Sequence, residues 1–98
     1  LNIREFQQHI WHIYGHHDSK RGLSKTYKWL LREVGELGRA IDNNDILNAK
    51  EEIADVLAWL SSVAKLLAID METVAIERYG SGCPKCKSIP CKCTYREK

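Results

Sequence analysis

The chain has 98 residues, 44% of them hydrophobic and 29% charged, with a formal net charge of +2. That length suits one domain with one core, and it is too short to bury most of its own surface. The near-neutral charge excludes both a bulk polyanion binder and an acidic tail, and no apolar run reaches the ~20 residues of a membrane span.

Four segments read as helix. The first runs from about Asn2 to His16, with Ile3, Phe6, Ile10, Ile13 and Tyr14 at helical spacing. Gly15, His16, His17, Asp18, Ser19 and Gly22 mark a connection. Ser24 caps a second helix that runs to about Ile41, with Tyr27, Leu30, Leu31, Val34, Leu37 and Ile41 as its core stripe. Asp42, Asn43, Asn44 and Asp45 form a turn, with Asn44 or Asp45 capping the next helix. That third helix runs from about Ile46 to Ala68 on a stripe of Ile53, Val56, Leu57, Leu60, Ala64 and Leu67. Asp70 caps a short fourth helix to about Tyr79, where Gly80 and Gly82 break the pattern. The expected fold is therefore all-α: an antiparallel helical hairpin with flanking helices, completed as a bundle by oligomerisation. Residues 1–80 make the helical domain and 81–98 a cysteine-rich tail.

Four carboxylates stand out. Glu33 and Glu36 are spaced i, i+3 on the second helix, and Glu52 and Asp55 repeat that spacing on the third. Each pair lies to one side of its core stripe, next to a tryptophan: Trp29 on one helix, Trp59 on the other. Carboxylates crowded on one face repel unless a cation sits among them. An all-oxygen set suits Mg²⁺ or Mn²⁺ rather than zinc, and Mg²⁺ so held recruits phosphate oxygens. A nucleoside polyphosphate is the natural substrate, with Trp29 and Trp59 as base platforms and Lys25, on the same side as Glu33, as a phosphate contact. Taken alone, either carboxylate pair reads first as a solvated helix face; two pairs on consecutive helices, each beside a tryptophan, bring the metal site level with that reading. His9, His12, His16 and His17 read as surface or packing residues.

The run LLREVGELGRAI, followed after a turn by KEEIADVLAWLSSVAKLLAID, resembles the MazG-like nucleotide pyrophosphohydrolases of the all-α NTP pyrophosphatase superfamily. Their signature of E-x-x-E, a spacer and E-x-x-D reads here as Glu33 to Glu36 and Glu52 to Asp55, with 15 residues between Glu36 and Glu52. The resemblance covers about Gly22 to Tyr79. It implies that Glu33, Glu36, Glu52 and Asp55 bind Mg²⁺, and that nucleoside triphosphates are cleaved between the α and β phosphates to a monophosphate and pyrophosphate. It also implies a homodimer or homotetramer. One departure is Arg32, which stands where many members carry a further Glu.

All four cysteines lie in the tail, spaced C-x₂-C, four residues, then C-x-C. Cys83, Cys86, Cys91 and Cys93 could close on one structural zinc, with Lys85, Lys87 and Lys92 offsetting the thiolate charge. Free thiols, disulfides and an iron–sulfur cluster are the alternatives. Clustered cysteines and an opening, LNIREFQQHI, without the layout of a secretory leader give the expectation of a cytoplasmic protein. A second functional class stays open: a non-catalytic dimeric helical module whose zinc tail docks protein or nucleic acid. The acidic faces argue against nucleic acid as a partner.

Overall fold

The computed structural model describes residues 1–94; the rest of the expected tail, 95–98, lies outside the described residues. Four helices follow in chain order: α1 Ile3–Arg21, α2 Leu23–Asp42, α3 Ile46–Leu66 and α4 Met71–Tyr79. No helix is long and apolar enough to cross a membrane. The described residues contain no strand. α2 and α3 form the antiparallel hairpin, α1 packs along α3, and α4 returns to α1.

The caps follow local chemistry. Asn2 and Glu5 close a capping box at the start of α1. The Asp45 side chain accepts from the Asn48 N–H at 3.1 Å, and Asp70 accepts from the Thr73 N–H at 2.9 Å. Asp70 also holds α4 to α1 through Arg4, whose Nη2 lies 2.9 Å from its carboxylate. The Arg4 guanidinium and the Thr73 donors keep the Asp70 carboxyl well below the usual carboxylate range. Gln7 reinforces this junction. Its buried amide donates to the Ile69 carbonyl at 2.9 Å and accepts from the Met71 N–H at 3.0 Å.

Two expectations need correction. The first helix does not end at His16. It continues through His17, Asp18 and Ser19 to Arg21, and Gly22, not Ser24, stands at the start of α2. The helix tolerates Asp18 at this point because its buried carboxylate is satisfied within the helix and from α3. Asp18 is 1% exposed and accepts from Arg21 Nη1 at 2.8 Å and from Ser62 Oγ at 2.6 Å. Gly15 lies under the Trp11 ring, where a Cβ would come within 2.8 Å of it. The break falls at Gly22 because its backbone, at φ 84° and ψ 169°, is in a region open almost only to glycine.

The second correction concerns the hairpin faces. Most of the stripes expected as core point outward: Tyr27, Leu31, Val34 and Ile41 of α2, Ile53, Leu57 and Leu60 of α3, and Leu67 just past its end are exposed, whereas Leu30, Leu37 and Val56 are half-buried and Ala64 is buried. Of α2 only Thr26 and Ala40 are buried, and of α3 only Ser61, Ser62 and Ala64. The half-buried line of α2 runs through Leu30, Glu33 and Leu37; that of α3 runs through Glu52, Val56 and Trp59. The fully buried positions of the two helices are thus small or polar, and most of the large aliphatic side chains are left outside.

Gly22→Ala forces a side chain onto that glycine-only backbone. It is expected to cost about 1–3 kcal/mol, which for a chain of this size lowers Tm by several degrees, roughly 4–8 °C per kcal/mol. Thermal unfolding followed by circular dichroism checks this.

Candidate metal and nucleotide site

The α2–α3 seam brings Glu33, Glu52 and Asp55 together, with one carboxylate oxygen from each lying within 4.8 Å of the others. The i, i+3 spacing sets Glu52 and Asp55 on neighbouring turns of α3, and the antiparallel hairpin puts Glu33 opposite them. Glu36 is not part of this trio. Its carboxylate accepts a short hydrogen bond from the Arg39 guanidinium, although it is still close enough to act electrostatically on Glu52.

Glu52 is the centre of the group. Its carboxyl is pushed up to about 7, first by a shared hydrogen bond with Glu33, then by desolvation and by the charges of Glu33, Asp55 and Glu36. One of its oxygens, Oε2, is buried without a hydrogen-bond partner. A buried acceptor left unpaired is costly, and its presence calls for an explanation. A hard cation among these oxygens would supply one, since it accepts all three carboxylates and removes their mutual repulsion.

Trp29 and Trp59 flank the carboxylates as expected, but they stack on each other, with ring centroids 5.7 Å apart and planes inclined by 11°. Their outer faces are covered as well. The Arg32 guanidinium lies 4.8 Å from the Trp29 ring, and that of Arg21 lies 4.8 Å from the Trp59 ring. Arg32, standing where a further Glu is usual, is thus one end of a cation–indole–indole–cation stack.

Beside Asp55, between α1 and α3, lies a cleft of about 250 Å³ lined by Tyr14, His17, Asp18, Arg21, Asp55, Ala58, Trp59 and Ser62. Sequence reasoning missed its α1 wall. Tyr14, His17, Asp18 and Arg21 recur at i, i+3, i+4 and i+7, so they share a face only if the helix continues past His16. Lys25 is exposed and outside the residues that line this cleft. His9, His12, His16 and His17 are all exposed, and none belongs to a metal-competent group among the described residues.

The tail cysteines also converge. Cys83, Cys86, Cys91 and Cys93 present their sulfurs within 4.8 Å of one another, and no disulfide links them.

The Glu52 carboxyl gives the metal-free protein a pH signature. Folding raises its affinity for a proton above the ordinary value of 4.5, to about 7. The folded state therefore keeps a proton that the unfolded chain has released, and stability falls as pH rises through that window. Tm measured in chelator from about pH 4 to pH 8 should show this fall. Mg²⁺ or Glu52→Gln should remove it.

A scan against protein families matches the MazG nucleotide pyrophosphohydrolase domain over residues 21–86. A search of curated proteins finds no match. The matched span holds both acidic motifs, the α2–α3 hairpin and α4, and it makes up more than half of the chain. The chain belongs to the MazG nucleotide pyrophosphohydrolase family.

Proposed function

We propose that this protein hydrolyses nucleoside triphosphates between the α and β phosphates, in a Mg²⁺-dependent reaction that yields a nucleoside monophosphate and pyrophosphate. The observation that carries this reading is the trio of Glu33, Glu52 and Asp55, with its buried, unpaired Glu52 oxygen. An all-oxygen donor set of this kind fits Mg²⁺, with Mn²⁺ as a chemically similar substitute.

Glu33, Glu52 and Asp55 would hold the ion, and Glu36 joins them by turning away from Arg39. Both partners of that ion pair are well exposed, and exposed pairs hold weakly. When bound, the ion supplies positive charge against the polyphosphate and acidifies a water to serve as nucleophile. The chain contributes the rest. Arg21, fixed by Asp18 and Thr26, brings a guanidinium to the cleft that Asp55 also lines, where it offsets phosphate charge. Lys25 adds positive charge at the exposed start of α2. Tyr14 and the Trp59 side chain line the cleft as contacts for the base. Trp59 stacks on Trp29 with one face and meets Arg21 with the other, so a base stacking on it would displace the guanidinium. The cleft, of about 250 Å³, is bordered by Asp55, so a base held there would have its phosphates directed toward the carboxylates.

The test is pyrophosphate release from a panel of ribo- and deoxynucleoside triphosphates with and without Mg²⁺. Losing even an outer partner of a metal site lowers activity by roughly 10–100-fold. Glu52→Gln and Glu33→Gln, which remove proposed ligands, should therefore lower turnover by about 100-fold or more with helicity intact. No turnover of any nucleotide, with binding of protein or nucleic acid instead, would favour the non-catalytic module.

We also propose that the working unit is a homo-oligomer. Leu31 is 51% exposed, Val34 47%, Ile53 57% and Leu57 43%, and stripes of this kind mark a protein interface. The expected outcome is a dimer or tetramer in light scattering, shifted to monomer by Leu31→Glu or Leu57→Lys. A wild-type chain that is monomeric at micromolar concentration would contradict it.

A further inference from the structure

The cysteine cluster lies outside the hydrolase chemistry, beyond the end of α4. Residues 81–94 contain no helix or strand, and Cys83 is the one buried residue among them. Apolar burial cannot hold such a segment in a single shape. Yet it turns back on itself. The Cys83 N–H donates to the Ser88 carbonyl at 3.1 Å, and the Lys87 N–H donates to the Cys83 carbonyl at 2.7 Å. Gly82, at φ 106°, lies so close to the returning strand of chain that a Cβ would come within 2.8 Å of the Ser88 carbonyl oxygen.

The sulfurs are arranged as nested pairs. Cys83 and Cys93 are 3.9 Å apart, and Cys86 and Cys91 are 4.0 Å apart. A disulfide requires about 2.05 Å. A tetrahedral Zn²⁺ with bonds of about 2.3 Å sets its sulfurs about 3.8 Å apart, close to both observed separations. Backbone N–H groups also point at the sulfurs. Lys92 donates to Cys86 at 3.3 Å and Cys93 donates to Cys91 at 3.4 Å. Donors placed this way favour thiolates, the form a metal binds. Lys85, Lys87 and Lys92 are exposed in the same segment and would offset the charge of four thiolates.

We propose that Cys83, Cys86, Cys91 and Cys93 hold one zinc ion in a closed structural site that folds residues 81–94 at the end of α4. A multi-iron cluster would spread the cysteines over two or more irons and hold some of the sulfurs further apart than the 4.8 Å within which all four lie here. Among single ions, thiolate sites bind Zn²⁺ more tightly than Fe²⁺. Four sulfur ligands leave no open position, so this ion takes no part in hydrolysis. Its contribution is folding free energy for a segment that has little other source of it.

The test uses the full chain purified under reducing conditions. Elemental analysis should find one zinc per chain, and cobalt exchange should give the absorption of a tetrahedral cobalt–thiolate centre. Cys86→Ser and Cys91→Ser should each lose the zinc with the helical circular dichroism unchanged. Because a variant could misfold for other reasons, the wild type is also stripped with a zinc chelator. Proteases should then cut within residues 81–94, and added zinc should restore protection. A metal-free chain whose four thiols react freely, a chain with mapped disulfides, or one carrying iron would overturn the assignment. So would a segment equally resistant to protease with and without zinc. None of these readouts depends on nucleotide turnover, so the zinc site and the hydrolase reading can fail separately.

Discussion

Like charge forced into a helix–helix seam is the constraint on which the rest of this structure depends. Glu33 and Glu52 occupy positions between α2 and α3 where a hairpin would ordinarily place aliphatic side chains. The crowding raises the Glu52 carboxyl, first through a hydrogen bond shared with Glu33, then through desolvation and like charge, and leaves one Glu52 oxygen buried without a partner. The fully buried residues of the two helices are small or polar: Thr26, Ala40, Ser61, Ser62 and Ala64. A site in this condition is poorly arranged for the empty protein and well arranged for a cation.

A second polar network holds the helices around the seam. Asp18 binds Arg21 on its own helix and Ser62 on α3, while Arg21 reaches Thr26 on α2. Three helices thus meet at one buried carboxylate. Such a carboxylate is tolerable only while its partners remain, because a buried charge that loses its partner is strongly destabilising. The same network fixes Arg21 against Trp59, so the element that orders the fold also sets a wall of the cleft.

Much of this was legible in the residues. The caps at Asp45 and Asp70, the hairpin, and the meeting of Glu33 with Glu52 and Asp55 depend on local propensity and spacing, which sequence carries directly. The extent of α1 was not legible, because Gly15, Asp18 and Ser19 signal a turn by composition, while the bond that Ser62 of α3 makes to Asp18 depends on tertiary structure. The sidedness of the hairpin was misjudged for a related reason. Helical period shows which residues share a face, but it does not say which face meets the neighbouring helix and which is left outside. Glu36 shows a similar limit: its spacing puts it next to Glu33, but only the position of Arg39 decides where its carboxylate turns.

The paired indoles have an optical consequence. Trp29 and Trp59 lie near enough, and nearly enough parallel, for their ultraviolet transitions to couple, while Trp11 sits apart on α1 beneath the Lys65 ammonium. A coupled pair gives a near-ultraviolet dichroism that an isolated ring does not. Anything entering beside Trp59 disturbs either the ring overlap or the guanidinium above it, so occupancy of the cleft can be followed without a label.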